Sequence, residues 1–270
     1  LNYKLGDLIA TREAYGDALV LLGKIHNDIL AIDAEVSNST YAEKFNVAFP
    51  NRFFEMFIAE QNMIGVALGL SKLGFPVFAS TFEGFLSRAF DQIRMAQYSR
   101  AKIKIVQSHT GVSIGFDGPS QMALEDIAMM RSILHSIVLY PSDAVSTLWL
   151  TKLMLAYDGI SYLRLTREKT PVIYDEKEEF KLGGSKIHYS EIRNSLSVIK
   201  KSNNFKCLII AAGITLHEAL KAQKELVKSD VETVVLDCYS VKPLDVQSIN
   251  RLTKEIKNVI VVEDHYPAGG

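Results

Sequence analysis

Residues 58–79, IAEQNMIGVALGLSKLGFPVFA, carry the pattern that decides the fold. Small and apolar residues lie on all sides of the helical stretch 59–73, which is typical of a buried helix, and a short apolar strand follows it. The same alternation continues in both directions, with strands predicted at 29–32, 77–79, 103–106 and 137–139 and further helices at 82–98 and 144–157. Strands that alternate with helices indicate a parallel sheet covered by helices on both faces.

The alternation is interrupted between residues 174 and 205. DEKEEFK is a cluster of charges and the later IRNSLSVIKKSNNFK is polar, so we expect a linker there with a small hairpin. Strands then resume at 207–211, 233–236 and 259–262, with helices at 246–257 and at 215–227, where Thr215 and Glu218 would form a capping box. We therefore predict an α/β protein of two parallel-sheet domains, 1–178 and a smaller 179–270.

Composition and charge exclude several classes of protein. The 270 residues are 48% hydrophobic and 23% charged, which is typical of a globular protein with a substantial core. The formal net charge of −1 argues against nucleic acid or an anionic membrane as the main partner. No apolar run reaches the about 18 residues of a membrane-spanning helix and no signal peptide is recognisable, so we expect a cytoplasmic protein. Cys207 and Cys238 lie in apolar strands and are expected to be free, buried thiols.

Several common catalytic motifs do not occur in the sequence: the dinucleotide GxGxxG, the P-loop, zinc-type Cys/His spacing and the hydrolase GxSxG. The chain begins with Leu1 and ends at Gly269 and Gly270, directly after an apolar strand that needs covering. We therefore expect a piece of a longer protein.

Two segments contain polar or aromatic residues that have both a functional and a purely structural interpretation. Glu60 is a lone carboxylate between the apolar runs MFIA and MIGVALGL, and burying it would cost several kcal/mol without a partner. It is either a helix N-terminal acid, favoured by the helix dipole, or a catalytic group. In the stretch 80–94, STFEGFLSRAFDQIR, Phe82 and Phe85 share a helical face, loosely joined by Phe90. These rings either pack in the core or line a site.

Two further segments follow strands. The loop 107–121, QSHTGVSIGFDGPSQ, contains His109 and Asp117, and loops at the carboxyl ends of parallel strands commonly bind ligands. A plain turn-rich connection is the alternative. The stretch 162–167, YLRLTR, presents two arginines, whose planar guanidinium groups suit phosphate. Ion pairs with the acidic linker are the alternative there.

Taken in order, these segments resemble the transketolase family from residue 5 to residue 270. The motifs IATREAYG, AEQNM, STFEGFLSRAFDQIRM, SHTGVSIGFDGPSQMALED, YPSD, AAGITLHEAL and VEDHYPAGG fall where the family has them. The short, mammalian-like type is most similar, because its glutamate lies in AEQNM and its loop ends in GPSQ. The resemblance implies a pyrimidine-binding domain up to about residue 178, followed by an incomplete C-terminal domain.

The resemblance also implies a thiamin diphosphate site. Glu60 would hydrogen-bond N1′ of the aminopyrimidine ring and so promote proton removal from C2 of the thiazolium. Phe82 and Phe85 would form the wall of the pyrimidine pocket. Arg88 lies where some members have a third aromatic residue, so that part of the wall would be open or differently built.

Substrate residues carry over position by position. The sugar phosphate is held in microbial members at positions that correspond to Arg12, Ser37, His109 and Arg167, of which Ser37 is the weakest match. Asp117 matches a residue that recognises a substrate hydroxyl, and Gln121 lies where many microbial members have a histidine. Phe116 replaces the acidic residue usual before that Asp, which changes the expected electrostatics of the loop.

By resemblance, the activity is transfer of a two-carbon ketol unit from a ketose phosphate to an aldose phosphate, with the cofactor as electron sink. The family holds Mg²⁺ on a GDG motif and a downstream Asn of a preceding domain, and this sequence has no GDG. The Mg²⁺ ligands would therefore come from an N-terminal domain or subunit, in a homodimer or heterotetramer. We predict that the chain alone is inactive.

Other functions share this domain order. Deoxyxylulose-phosphate synthase and the β subunit of 2-oxo-acid dehydrogenases have a similar Glu and helix, but SHTGVSIGFDGPSQ and Arg12 favour transketolase. A non-catalytic dimerisation or regulatory module is the third hypothesis. The chain keeps all of the main candidate site residues, which argues against a non-catalytic module. These residues are Glu60, Phe82, Phe85, His109 and Arg167.

Overall fold

The computed structural model describes residues 3–190 and 205–270. Its strands are β1 Leu8–Ala10, β2 Leu30–Asp33, β3 Phe53–Glu55, β4 Val77–Phe82, β5 Ile103–Ser108, β6 Ile137–Leu139, β7 Ser161–Arg164, β8 Lys169–Pro171, β9 Lys186–Tyr189, β10 Cys207–Ala211, β11 Thr233–Asp237, β12 Ser240–Lys242 and β13 Val259–Val262. Its α-helices are α1 Thr11–Ile25, α2 Ser37–Thr40, α3 Glu43–Ala48, α4 Glu60–Lys72, α5 Glu83–Leu86, α6 Phe90–Tyr98, α7 Pro119–Met122, α8 Asp126–Ser132, α9 Ala144–Ala156, α10 Ile214–Val227 and α11 Val246–Glu255. Three 3₁₀ turns lie at Pro50–Arg52, Ser87–Ala89 and Val112–Asp117.

The larger sheet has seven strands in the order β12-β6-β7-β5-β4-β2-β3. Its six strands from the N-terminal part of the chain pair in parallel, as the alternating pattern predicts. The seventh strand, β12, comes from the C-terminal part and pairs antiparallel with β6. The two parts of the chain therefore share one sheet.

Alternating side chains of the central strands build a core on each face of this sheet. Phe78 and Val106 belong to the layer that packs with helices α1 and α9. Their neighbours Ala79 and Ile105 point to the other face, where Met63 of α4 packs against them. Because both faces are covered, β4 and β5 are buried along almost their whole length, although β5 contains Lys104, Gln107 and Ser108.

Two of the predicted helices differ from expectation. Helix α4 is buried along one side only in this chain, since Gln61, Asn62 and Gly65 are exposed, so its small residues do not mark burial all round. The predicted helix 82–98 is broken into α5, a 3₁₀ turn and α6. Phe82 lies instead in β4, where it pairs with Ser108. The ladder with β5 therefore overrides the helical spacing at this point.

The smaller sheet has the order β13-β10-β11-β9, with β9 antiparallel to β11. Strand β9 lies in the region predicted as a linker, so that prediction is wrong for residues 186–189, which belong to this sheet and not to a local hairpin. The rest of the expected linker includes residues 191–204, which lie outside the described residues. A boundary at residue 178 stays a prediction.

The predicted capping box of helix α10 is wrong. Gly213 occupies the cap position with φ +58°, a conformation that favours glycine, and the cap has no side-chain hydrogen bond. Thr215 lies inside the helix, where its hydroxyl donates to the carbonyl groups of Ala212 and Val262. Glu218 pairs with Lys221 on the surface.

Two other expectations are tested by the described residues. Cys207 and Cys238 are free and buried, as predicted. Across residues 3–190 and 205–270, none of the helices combines the length and apolar character needed to cross a bilayer.

Candidate active site

The candidate residues follow neighbouring strands at one edge of the larger sheet. Phe82 ends β4, His109 follows β5 and Arg167 follows β7. Because β4, β5 and β7 are adjacent and parallel, their carboxyl ends meet at the same edge. Glu60 opens helix α4 just after β3. The sheet therefore brings together residues that are far apart in the sequence.

Glu60 is a buried carboxylate with an arginine partner. Its side chain is 2% exposed, and its Oε2 lies 3.3 Å from Nη1 of the half-exposed Arg88. The backbone of the Arg88 segment is held in turn by Gln61, whose side-chain amide donates to the Arg88 carbonyl at 3.1 Å. The partner that the sequence required for Glu60 is thus Arg88, in addition to the positive end of the helix dipole.

Three rings form a stack, and Arg88, the partner of Glu60, lies 6.0 Å from the centroid of one of them, Phe85. The Phe82 and Phe85 centroids lie 5.3 Å apart and nearly parallel, and the His109 imidazole lies 3.8 Å from Phe82. Both phenylalanines are half-buried and lie outside the core clusters of the described residues, whereas Phe90 packs against the core. Of the two interpretations of these rings, the geometry favours a wall over core packing.

Two arginines lie close enough to His109 to act on its charge. Arg12, at the start of α1, donates from Nε to the Arg167 carbonyl at 3.4 Å and from Nη1 to the Ser39 carbonyl at 2.6 Å. Arg167 pairs with Asp117 at 2.9 Å. Burial lowers the pKa of Arg12, and the nearby charge of Arg167 lowers it further. Two neighbouring cations, of which Arg167 is paired with one exposed carboxylate, favour an anionic ligand.

His109 is neutral in this environment. Burial is the main cause that lowers the pKa of its imidazole to about 3, and the positive charges of Arg12 and Arg167 add to it. Its Nδ1 lies 2.9 Å from the hydroxyl of Ser108. A neutral imidazole can both accept and donate a hydrogen bond, which suits recognition of a hydroxyl group.

Two predicted residues are less clearly placed. Ser37 begins α2 and is half-buried, but the hydrogen bond of Arg12 goes to Ser39, a residue that the sequence did not single out. Gln121 accepts a hydrogen bond from Ser120 at 2.7 Å, and its backbone packs against Gly84, where a Cβ would approach the Gln121 Cα to 3.0 Å. Gln121 is therefore tied by its backbone to the segment that carries Phe85.

Sequence reasoning also missed a buried ionic network under the cleft. Arg164 is fully buried and donates to Asp126 and Asp264, each at 2.7 Å, while Asp264 accepts from the Tyr140 hydroxyl at 3.2 Å. Gly111, in the loop after β5, has φ +76°, and a Cβ there would collide with the Asp264 carboxylate. Asp264 belongs to the final VEDHYPAGG motif, so that motif fixes the loop that follows His109.

Glu83 lies against this network, near Asp126, Tyr162 and Arg164. It is 1% exposed, and burial, with the charge of Asp126 adding, raises its pKa well above the usual range. A protonated carboxyl group is consistent with this environment. The local sequence did not indicate that Glu83 is buried or that its pKa is raised. It showed only an acidic residue between two candidate phenylalanines.

The cleft fits one half of thiamin diphosphate. A buried carboxylate beside half-exposed flat rings matches an aminopyrimidine, which offers a ring nitrogen to hydrogen-bond and two flat faces to cover. Within residues 3–190 and 205–270, no three His, Cys, Asp or Glu side chains are grouped to hold a metal ion. The described residues therefore fit the pyrimidine and offer no cluster for a diphosphate-bound cation.

Comparison with known proteins identifies the two parts of the chain. The family model described as "Transketolase, pyrimidine binding domain" matches residues 7–172, and "Transketolase, C-terminal domain" matches residues 197–270. Fold and family models thus define a two-domain α/β protein with a pyrimidine-binding domain followed by a C-terminal domain. More narrowly, the chain belongs to the transketolase family.

Individual relatives cover the whole chain. Transketolase-like protein 2 of Mus musculus is 49% identical over 99% of this chain and 41% of its own length, and Homo sapiens transketolase is 45% identical over 100% and 42%. A solved structure titled "Split gene transketolase, inactive beta4 tetramer" has a TM-score of 0.84 and 36% identity, over 97% of this chain and 82% of that one. Leishmania mexicana transketolase shares the fold, with a TM-score of 0.83 at 20% identity, over 100% of this chain and 40% of that chain. The chain spans about two fifths of the curated relatives it matches.

Proposed function

We propose that this chain supplies the pyrimidine-binding half of a composite transketolase active site. The reaction is transfer of a two-carbon ketol unit from a ketose phosphate to an aldose phosphate. The observation that carries the proposal is the buried Glu60 carboxylate beside the stack of Phe82, Phe85 and His109. Membership of the transketolase family supports the reaction class.

The cofactor end of the site follows from these contacts. Bound thiamin diphosphate would supply the electron sink for cleavage of the carbon–carbon bond. Glu60 would hydrogen-bond N1′ of the pyrimidine and hold a proton there, while Phe82 and Phe85 cover the ring. Arg88, at 3.3 Å from Glu60, would orient the carboxylate and complete the open side of the wall.

The substrate end uses the paired cations. Arg12 and Arg167 would bind the sugar phosphate, since a planar guanidinium can donate two hydrogen bonds to one phosphate group. His109, neutral at physiological pH, would hydrogen-bond a substrate hydroxyl, and Asp117 would accept from another. Gln121 would lie at the mouth of the cleft, and Ser37 would contribute least.

The other half of the site would come from an N-terminal transketolase domain or subunit. It would provide the Mg²⁺ ligands and the diphosphate site, in a homodimer or a heterotetramer. The solved split-gene structure is described in its title as an inactive tetramer of β chains, which supports the expectation that this chain alone does not turn over. Turnover would then require both halves in one assembly.

The test is reconstitution with a matched control. We expect no ketol transfer from xylulose 5-phosphate to ribose 5-phosphate by the chain alone, and activity when an N-terminal transketolase partner, thiamin diphosphate and Mg²⁺ are added. Glu60→Gln should lower kcat by about 100-fold or more, because it removes a proton-transfer partner. Glu43→Gln, which changes the first residue of helix α3, should leave kcat nearly unchanged.

The outcomes separate the alternatives. Equal losses in both variants would mean that Glu60 acts only as a helix N-terminal acid. Consumption of pyruvate in place of the ketose would indicate a deoxyxylulose-phosphate synthase or 2-oxo-acid dehydrogenase component. Stable assembly with the partner and no turnover of any substrate would indicate a non-catalytic dimerisation module.

A further inference from the structure

A second polar groove lies at the edge of the larger sheet opposite the candidate active site. It opens where strands β4 and β5 begin and where helices α4 and α9 end. Two cavities of about 490 and 420 Å³ meet there, and they share Lys72, Arg100, Lys102 and Asp158 as lining residues. A volume of this size suits a small metabolite.

The groove has an excess of positive charge. Lys72, Arg100, Lys102 and Lys104 line it, with one carboxylate, Asp158, which pairs with Lys102 at 2.5 Å. In the described part of the chain, no carboxylate forms an ion pair with the other three cations. The ends of α4 and α9 contribute about half a negative charge each, which offsets only part of the excess.

Lys104 is the most unusual member of the group. Its side chain is 2% exposed, yet it lines the larger cavity. Its ammonium group donates to the Tyr157 carbonyl at 2.5 Å and to the Gly159 carbonyl at 3.4 Å, so two of its three protons have acceptors. A buried ammonium is costly without a counter-ion, and an apolar side chain would fill the same space at lower cost.

The rest of the lining adds apolar and aromatic surface beside these charges. Phe75 and Pro76 come from the turn before β4, and Leu155 and Tyr157 come from the end of α9. Phe75 is 38% exposed although it is apolar. Such a surface gives the organic part of a ligand something to pack against while its anionic group meets the cations.

We propose that this groove binds a phosphate-bearing organic metabolite, at a site separate from the candidate active site. Arg100, which is exposed and whose guanidinium has a planar fork, would hold the phosphate with Lys72. Lys104 would provide the buried positive charge at the base of the groove. Phe75 would cover the organic part of the ligand.

The experiment is titration calorimetry of the full chain with phenyl phosphate and, separately, with inorganic phosphate. Saturable binding of phenyl phosphate is expected to weaken about tenfold in Arg100→Gln, because one charge-assisted contact is lost. Lys104→Met should weaken it at least as much. Lys152→Gln, which removes a lysine elsewhere on α9 beside Trp149, is the matched control and should bind like the wild type.

A second readout follows from the environment of Lys104. Burial lowers the pKa of its ammonium to about 8; Lys102 lowers it further and Asp158 opposes the shift. Lys72 from α4 and Arg100 from the turn after α6 line the same cavity. A bound phosphate would raise that pKa, so at pH 8 binding should take up part of a proton, measured in buffers of different ionisation enthalpy. Lys104→Met should abolish the uptake.

The candidate active site also carries paired arginines, and the variants distinguish the two sites. Loss of phenyl phosphate binding in Arg167→Gln, with wild-type binding in Arg100→Gln, would overturn the proposal. Equal binding by all variants, or no saturable binding, would overturn it too. Inorganic phosphate binding as tight as phenyl phosphate would overturn the organic part of the proposal. None of these results depends on ketol-transfer activity.

Discussion

Arg164 and Arg167 lie three residues apart at the end of strand β7, yet their environments are opposite. The Arg164 side chain is 0% exposed and is held by Asp126 and Asp264. Its guanidinium also lies 4.6 Å from the centroid of the Tyr140 ring. The Arg167 side chain is 44% exposed and pairs with Asp117, which is itself 42% exposed.

This difference separates structural charges from charges that remain available for a ligand. Arg164 donates to two carboxylates and to the Asp264 carbonyl, so few of its donors remain unused. Arg167 uses one nitrogen for Asp117 and for the Ile114 carbonyl. Because exposed pairs contribute about 0–1 kcal/mol, a ligand can replace the Asp117 contact at low cost.

The first prediction tests the structural side of the comparison. Arg164→Met should lower the free energy of unfolding by about 3–5 kcal/mol, because Asp126 and Asp264 would be left buried without a counter-ion. Urea unfolding followed by circular dichroism measures this. Arg167→Met is the control and should change the same quantity by less than about 1 kcal/mol. Similar losses in the two variants would contradict the distinction.

The second prediction tests the binding side. In the chain assembled with the proposed N-terminal partner, Arg167→Gln should raise the KM for the proposed sugar phosphate substrate by about tenfold or more, since a charge-assisted contact is lost. Its unfolding free energy should stay close to that of the wild type. Asp117→Asn provides the comparison, because it removes the competing carboxylate and keeps the cation. An unchanged KM in Arg167→Gln would mean that Arg167 only stabilises the loop that contains Ile114 and Asp117.

The motifs predicted that the candidate residues lie at one edge of the sheet, but not the contacts among them. Phe82 ends β4, while Glu60, His109 and Arg167 follow β3, β5 and β7, and parallel strands place such residues at one edge whatever the details of packing. The pairing of Glu60 with Arg88 spans 28 residues and crosses the break in the predicted helix 82–98. Helical spacing indicated neither that break nor the extension of β4 to Phe82, which depends on pairing with β5.

The role of Arg164 could not be predicted from the local sequence either. The motif YLRLTR presents both arginines alike, and ion pairs with the acidic linker were one interpretation of them. That interpretation is wrong: Arg164 pairs with residues 38 and 100 positions away, and Arg167 with Asp117, 50 positions away. Strand β12, which joins the first sheet from the second part of the chain, depends on a long-range pairing of the same kind.

The last prediction concerns the pKa of His109, on which the difference between Arg164 and Arg167 is expected to have its smallest measurable effect. With a pKa lowered to about 3, the imidazole should stay neutral from pH 8 to pH 5, and its ring signals in NMR should not titrate over that range. The folded pKa lies below the about 6.5 of an unfolded histidine. As pH falls, the unfolded chain therefore binds the proton first. The contribution of His109 to stability is fully present above about pH 6.5 and is lost as pH falls from there toward 3.

Two substitutions test which neighbouring groups lower the pKa of His109. Arg12 and Arg167 both lower its pKa, whereas Arg164 is not among the groups that act on it. Arg167→Gln should therefore move the His109 titration upward, whereas Tyr140→Phe, which changes only the buried network around Arg164, should not move it. A titration near pH 6.5 in the wild type would mean that His109 is open to water and that neither burial nor Arg12 and Arg167 lowers its pKa.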